Sequence, residues 1–149
     1  MKHTDKPIVV EQTFDTSIKQ LWNAITRLTE MKQWFFENID AFEPKVGFQS
    51  TFVVENEGRK FTHLWKITKV EPFQKISYNW KYKEYSGNSF VTFLLSKHGK
   101  QSKLTLSHQI METFPQDILE FQRENCKAGW DWFIKERLKG YLKEKGERE

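Results

Sequence analysis

The sequence predicts an α+β fold in which a curved antiparallel β-sheet is covered by one long C-terminal helix. A strand pattern followed by two short helical patterns opens the chain. A two-residue hydrophobic period begins at Phe48 and continues for about sixty residues. An uninterrupted helical pattern then runs from Asp117 to about Lys143. Because neither the sheet nor the helix can bury its apolar side alone, each is expected to cover the other.

The N-terminal part is predicted to contain one strand and two short helices. Residues Ile8 to Phe14 alternate apolar and polar side chains, as in a strand with one buried face. Ser17 and Gln20 have the spacing of a capping box, which favours a helix beginning there. Thr29 is predicted to cap the second helix.

The central part is predicted to be an antiparallel meander of five or six strands, which follows a loop over residues 40–47. Together with the first strand, this gives a sheet of six or seven strands. Connections as short as the predicted turns make neighbours in sequence neighbours in the sheet. The stretch Phe90 to Ser96 is apolar on both faces, which favours a central position. The turn patterns lie at Asn56 to Gly58, Glu71 to Gln74, Ser86 to Asn88 and His98 to Gln101.

The terminal helix is predicted to begin near Asp117, with Glu120 completing an N-terminal cap. Gly129 costs about 1 kcal/mol relative to alanine within a helix, so a close backbone approach or a kink is expected there. The tail, residues 144–149, is expected to fray. At about 3.6 residues per turn, the inward stripe comprises Leu119, Cys126, Trp130, Phe133, Ile134 and Tyr141.

Composition and charge are typical of one domain covering residues 1–149. The net charge of +4 is spread along the chain without a basic block, which argues against nucleic-acid binding. The single cysteine, Cys126, excludes an intramolecular disulfide and is typical of a reducing compartment. No apolar run at the N-terminus is long enough for a signal peptide or a membrane span. A cytoplasmic protein without stable membrane insertion is therefore expected.

Common catalytic and cofactor signatures are absent from the sequence. There is no nucleophile elbow, phosphate-binding glycine loop, dinucleotide fingerprint or His-Glu-x-x-His pair. Cys126 has no neighbouring cysteine, so neither a metal nor a cofactor is expected. A buried thiol keeps its proton, and Cys126 is therefore predicted to act as a small hydrophobic residue.

His63 and His108 fall on the inward phase of their predicted strands. In one interpretation, each is a core histidine bonded to a neighbouring hydroxyl or backbone group. In the other, they orient a carbonyl or hydroxyl group of a bound ligand. A metal or acid–base role would require the two rings to approach each other. No carboxylate on the same inward faces could orient them, so no catalytic residue is predicted.

Aromatic side chains on the predicted inward faces have two possible roles. They form either a packed core or, with the two histidines, the wall of a cavity closed by the terminal helix. The second role gives the predicted ligand-binding set: Phe52, Phe61, His63, Trp65, Tyr78, Trp80, Tyr82, His108, Trp130 and Phe133.

Phe121 and Trp132 are out of phase with the inward stripe of the terminal helix. They are expected either to pack on the first two helices or a loop, or to form an exposed patch that contacts a partner. The second interpretation makes a homodimer or a protein partner possible.

A series of short motifs follows the predicted elements: Leu21-Trp22, Trp34-Phe35, Pro44 to Phe48, Ile67 to Pro72, Val91 to Phe93, Leu104 to His108, Gly129-Trp130 and Lys139 to Leu142. Their order resembles the helix-grip fold of the SRPBCC (START-like) superfamily, and within it the branch named for the activator of the heat-shock-protein-90 ATPase. One departure is Val46, where that branch usually has a second glycine before Gly47. The resemblance implies a deep cavity between the sheet and the long helix, and many members bind small apolar molecules.

Three functions are consistent with the sequence. The favoured one is non-catalytic binding of a small hydrophobic or amphipathic ligand, such as a lipid, between the sheet and the C-terminal helix. The second, implied by the name of the branch, is a protein-interaction role in the stress response, such as chaperone ATPase activation. The third is a polyketide cyclase or aromatase-like enzyme, for which His63 and His108 are the only good inward candidates.

Overall fold

The computed structural model describes the backbone of residues 1–148 and the side chains of residues 1–146. The described strands form one curved antiparallel sheet of six strands in the order β1-β6-β5-β4-β3-β2. The two-residue hydrophobic period therefore predicted the sheet correctly. The strands are β1 (Ile8–Phe14), β2 (Gln49–Asn56), β3 (Arg59–Glu71), β4 (Lys75–Tyr82), β5 (Asn88–His98) and β6 (Gln101–Glu112).

Two short helices, α1 (Ile18–Thr26) and α2 (Leu28–Trp34), follow β1 as predicted. The predicted cap of α1 is confirmed, because the Ser17 hydroxyl accepts a hydrogen bond from the backbone N–H of Gln20 at 3.1 Å. The predicted cap of α2 is wrong. Only Arg27, with an extended backbone, separates the two helices, so α2 begins before Thr29.

The long C-terminal helix crosses the concave face of the sheet, as the sequence predicts. It consists of α3 (Arg123–Asp131), a π-helical segment (Trp132–Leu138) and α4 (Lys139–Arg148). The predicted start at Asp117 is wrong, because a 3₁₀ turn (Leu119–Phe121) and the extended residue Gln122 precede the helix. Glu149 lies outside the described residues, and fraying of the tail stays a prediction.

The buried stripe of this helix comprises Trp130, Ile134, Leu138 and Leu142. Leu138 and Leu142 were missed by the sequence analysis. Leu119, which was predicted to belong to the stripe, lies in the 3₁₀ turn and is 61% exposed. The remaining predicted members, Cys126, Phe133 and Tyr141, are partly buried and pack against the core.

The central position predicted for β5 is confirmed by the strand order. Val91, Phe93 and Leu95 face the core, whereas Leu94 on the other face is 45% exposed. The second apolar face of this strand is partly exposed, because the described helices cover only the concave side. None of the described helices is both long enough and apolar enough to cross a membrane.

Candidate ligand-binding pocket

A pocket of about 270 Å³ lies between the sheet and the beginning of the C-terminal helix. Its volume is just below the range of roughly 300–1,000 Å³ that is usual for ligand sites. The pocket is therefore large enough for a small molecule but small for a long-chain lipid. Six of the ten predicted ligand-binding residues line it: His63, Trp80, Tyr82, His108, Trp130 and Phe133.

Phe61 lines a smaller neighbouring pocket of about 140 Å³, which also contacts Phe121. The two pockets share the side chains of His63, Tyr82 and Glu120. Glu120 therefore stands where the two pockets meet.

Phe52, Trp65 and Tyr78 do not line the main pocket. Their rings belong to the buried core, which is covered there by Phe35 and Phe42 from the segment that follows α2. Trp65 lies 5.6 Å from Phe35, and Tyr78 lies 6.0 Å from Phe42, between ring centroids. These three residues lie behind the pocket wall and pack against its aromatic rings.

The sequence analysis missed five residues that complete the pocket wall: Phe36, Glu120, Asn125, Cys126 and Gly129. Cys126 was placed on the inward stripe without a binding role, and Phe36 follows α2, where no periodic pattern extends. The close backbone approach predicted at Gly129 is wrong, because a Cβ added there would meet no heavy atom within 4 Å. The glycine instead leaves open space beside the pocket, three residues before the π segment.

His108 is held in a continuous chain of hydrogen bonds. Its Nδ1 accepts a hydrogen bond from the indole N–H of Trp130 at 3.0 Å. Its Nε2 lies 2.8 Å from the hydroxyl oxygen of Ser89, whose own hydrogen is donated to the carbonyl oxygen of Trp80 at 2.7 Å. Nε2 must therefore donate, which makes His108 a neutral ring with both nitrogens used.

One ring nitrogen of His63 is hydrogen-bonded within the described part of the protein, and the other is not. Its Nδ1 lies 3.1 Å from the carbonyl oxygen of Phe61, which can only accept, so Nδ1 carries the hydrogen. In a neutral ring, Nε2 is then a hydrogen-bond acceptor. No described side chain hydrogen-bonds to that atom.

Both histidines match the interpretation in which each ring is bonded to a neighbouring hydroxyl or backbone group. Each ring also packs on Trp80, at centroid distances of 5.4 Å for His63 and 5.7 Å for His108. Among the side chains the structure describes, no cluster of three or more His, Cys, Asp or Glu residues could hold a metal ion.

The ionisable groups deep in the pocket are neutral at pH 7. Desolvation by burial lowers the pKa of His63 to about 4 and the pKa of His108 to about 3. Burial raises the pKa of the Cys126 thiol to about 12 and raises the pKa of Tyr82 well above its ordinary value. The Cys126 sulfur lies 3.7 Å from Nδ1 of His108, and a thiol that keeps its proton is a poor nucleophile.

Glu120 is the charged group on the pocket wall, and its charge is compensated. Desolvation raises its pKa, but hydrogen bonds from Arg59 and Asn56 outweigh this effect, and the pKa is lowered overall. The Arg59 Nε donates to the Glu120 carboxylate at 2.8 Å, and Asn56 donates to it at 2.8 Å. This ion pair joins the β2–β3 hairpin to the 3₁₀ turn beside the pocket.

The two predicted partner-contact residues differ in exposure. Phe121 is only 2% exposed and lies in the 3₁₀ turn, where its ring packs against Phe61, Tyr82 and Phe114. It is therefore not an exposed contact, because the chain turns inward before the helix begins. Trp132 is 49% exposed, with the Arg137 guanidinium 5.1 Å from its ring centroid.

Several solved structures are similar to this fold. MLL2253 from Mesorhizobium loti is 23% identical, with a TM-score of 0.72 over 93% of this chain and 98% of that one. DynU16, described as a putative protein in the dynemicin biosynthetic locus, is 21% identical, with a TM-score of 0.73 over 93% of this chain and 48% of that one. The Aha1 dimer from Colwellia psychrerythraea is 18% identical, with a TM-score of 0.66 over 91% of this chain and 94% of that one.

At these identities, the structural similarity shows the fold alone. No curated protein matches the sequence. The family model described as Activator of Hsp90 ATPase homolog 1-like protein matches residues 15–143, which confirms the resemblance found in the motifs. The chain therefore belongs to the family of Activator of Hsp90 ATPase homolog 1-like proteins.

Proposed function

We propose that this protein binds a small, uncharged hydrophobic or amphipathic molecule in the pocket between the sheet and the C-terminal helix, without transforming it. The observation that carries the proposal is the character of the wall. Aromatic rings surround the pocket, and four of its five ionisable groups, His63, Tyr82, His108 and Cys126, are neutral. The charge of the fifth, Glu120, is compensated by Arg59. An apolar wall with few polar groups is typical of small-molecule sites.

The same groups argue against acid–base catalysis. An efficient general acid or base has a pKa near the working pH, whereas the pKa of each pocket histidine lies far below 7. His108 in addition has both ring nitrogens hydrogen-bonded within the protein. A cyclase-like activity would therefore require a proton carrier other than these two rings.

Native mass spectrometry of freshly purified protein tests the proposal directly, by detecting a small molecule that is released on denaturation. A titration with 4-ethyltoluene, followed by tryptophan fluorescence because Trp80 and Trp130 line the wall, tests whether the pocket binds a small apolar molecule. Saturable binding or a released ligand is expected. A protein that shows neither would contradict the proposal.

Gly129 offers a substitution that blocks the pocket without removing a contact. In Gly129→Leu, the new Cβ meets no heavy atom within 4 Å, the added side chain starts from a residue that lines the pocket, and helix propensity improves. We expect 4-ethyltoluene binding to weaken at least about tenfold while the free energy of unfolding stays equal or rises. Gly140→Leu is the matched control, since Gly140 is helical, also has open space at its Cβ and does not line the pocket. Equal binding by both variants would place the ligand elsewhere.

A second candidate function is association with a protein, including a second copy of this chain. It is favoured by Trp132, a large aromatic side chain that is half exposed and lies beside Arg137. Aromatic residues and arginine are enriched at protein–protein interfaces. One similar structure is described as a dimer. Sedimentation velocity on the natural protein and on Trp132→Ala tests this function, together with a chaperone ATP-turnover assay. A monomer at all concentrations and unchanged ATP turnover would exclude both forms of it.

A further inference from the structure

We propose that the ligand carries a neutral hydroxyl group, which accepts a hydrogen bond from the Tyr82 hydroxyl and donates one to Nε2 of His63. This inference rests on the proposed function and specifies the chemistry of the molecule that the pocket selects. An apolar molecule with one hydroxyl group, such as a simple phenol or alcohol, is the ligand class.

Tyr82 presents an unused donor. The indole N–H of Trp80 donates to the Tyr82 hydroxyl oxygen at 2.8 Å, so that oxygen already serves as an acceptor. The hydroxyl hydrogen is then left to donate, and no described residue accepts it. A tyrosine hydroxyl that lines a pocket usually finds a partner for its hydrogen. A ligand atom with a lone pair would provide that partner.

His63 presents an unused acceptor. Its Nδ1–H is directed to the carbonyl oxygen of Phe61, which leaves the Nε2 lone pair without a described partner. The rest of the ring is enclosed, since Phe52 stacks on it at a centroid distance of 4.5 Å and Phe36 lies at 5.0 Å. A donor that reaches Nε2 must therefore come from the pocket.

The donor and the acceptor lie side by side. His63 and Tyr82 are directly paired across β3 and β4, and their ring centroids are 4.8 Å apart. Both side chains line the main pocket and the smaller neighbouring one. They do not hydrogen-bond to each other, so each still needs a partner. A hydroxyl group is the smallest neutral group that accepts and donates at once.

Charged ligands suit this wall less well. A carboxylate would lie near the Glu120 carboxylate, and the nearby cation, Arg59, is already engaged by that residue. An ammonium group could donate a hydrogen bond to Nε2 of His63, but it has no lone pair to accept one from the Tyr82 hydroxyl. The Tyr82 oxygen already accepts a hydrogen bond from Trp80. Burying an unpaired charge among aromatic rings is also costly.

Three probes of similar shape test the inference: 4-ethylphenol, 4-ethylanisole and 4-ethyltoluene. The phenol both accepts and donates, the ether only accepts, and the hydrocarbon does neither. At pH 7, we expect the natural protein to bind 4-ethylphenol about tenfold more tightly than 4-ethyltoluene, with 4-ethylanisole between them. Affinities are compared by isothermal titration calorimetry.

Two conservative variants test which residues cause the preference for the phenol. Tyr82→Phe removes the donor and His63→Phe removes the acceptor, and each is expected to reduce the ratio of 4-ethylphenol to 4-ethyltoluene affinity at least about threefold. Comparing two probes on the same protein cancels differences in folded fraction between variants. Tyr85→Phe is the matched control, because Tyr85 is close to Phe61 but does not line the pocket, and it should keep the full preference.

The outcomes separate this inference from the proposed function. Equal binding of phenol and hydrocarbon to the natural protein, or a preference that persists in both variants, overturns the hydroxyl inference and leaves small-molecule binding in place. If none of the probes binds and no released ligand is detected, the proposed function fails and this inference fails with it.

Discussion

The indole N–H of Trp130 donates to Nδ1 of His108 across 3.0 Å, and this bond ties the C-terminal helix to β6 of the sheet. Both side chains are buried, at 4% and 3% exposure. Because both groups are almost fully buried, leaving either one unpaired would be costly, and the bond is part of what holds the helix over the sheet. It also fixes one wall of the pocket.

Removing the donor should therefore destabilise the fold. In Trp130→Phe, Nδ1 of His108 loses its indole partner and stays buried, which is expected to lower the free energy of unfolding by about 1–3 kcal/mol. Trp132→Phe makes the same substitution on the same helix at a half-exposed position, where a change within about 0.5 kcal/mol is expected. Urea denaturation of both variants measures the difference. Equal effects would show that the hydrogen bond contributes nothing.

Acid should destabilise the protein through its two buried histidines. An unfolded histidine takes up a proton near pH 6.5, whereas burial lowers the pKa of His63 to about 4 and of His108 to about 3. Below about pH 6.5, the unfolded chain therefore binds more protons than the folded protein, and the free energy of unfolding decreases as the pH is lowered. Between pH 6.5 and 5.0, we expect a loss of about 3 kcal/mol from the pair, measured by urea denaturation.

His63→Phe should reduce that loss by about half, because only His108 then contributes. The window lies above the ordinary pKa values of carboxylates, so Glu84 and Glu120, whose pKa values are lowered, add their own losses only in stronger acid. A free energy of unfolding that stays constant from pH 6.5 to 5.0 would contradict the burial of the two neutral rings.

Gly87 should be among the least replaceable residues of the chain. Its φ of +118° disfavours any side chain, and an added Cβ would lie 2.4–2.8 Å from ring atoms of the buried Phe114. Gly87→Ala is expected to lower the free energy of unfolding by about 3 kcal/mol or more, through backbone strain and overpacking together. Gly99→Ala is the control, since φ is also positive there but the space is open, and strain of about 1 kcal/mol is expected. Thermal or urea denaturation measures the loss of unfolding free energy in each variant, and equal losses would contradict the prediction.

Glu30 anchors the far end of the C-terminal helix. Its carboxylate oxygen accepts hydrogen bonds from the Tyr141 hydroxyl at 2.8 Å and from the Lys145 ammonium at 2.6 Å. Glu30→Gln removes the charge, and amide exchange over residues 139–146 is expected to accelerate about fivefold as α4 opens locally. Glu136→Gln, at an exposed position on the same helix, should leave exchange unchanged. Unaltered protection in Glu30→Gln would refute the anchoring role.

The sheet and part of the pocket were predictable because strand burial follows a strict two-residue period. Trp80 and His108 were placed inside correctly for this reason. The period does not show what covers each inward residue. Trp65 and Tyr78 have the same phase as Trp80, yet the rings of Phe35 and Phe42 fill the space above them. The pocket exists only where the helix begins, and that position depends on tertiary packing.

The terminal helix was less predictable than the sheet. Asp117 resembles a helix cap in sequence, but Phe121 turns into the core and breaks the pattern before Arg123. Leu138 was missed because a regular α-helical period does not describe the π segment. In each case, long-range burial of an apolar side chain overrides the local signal.

The π segment determines how the terminal helix responds to a change in chain length. Residues four apart drift by about 40° per step around a regular α-helix, and the wider winding of Trp132–Leu138 offsets this drift, so that Leu142 is still buried. A π turn holds one residue more than an α-helical turn, so deleting one residue there would let the segment wind as an α-helix while the residues after it keep their orientation. Inserting a residue has no such compensation and would rotate everything after it by about 100°. This part of the chain should therefore accept the loss of one residue more readily than the gain of one.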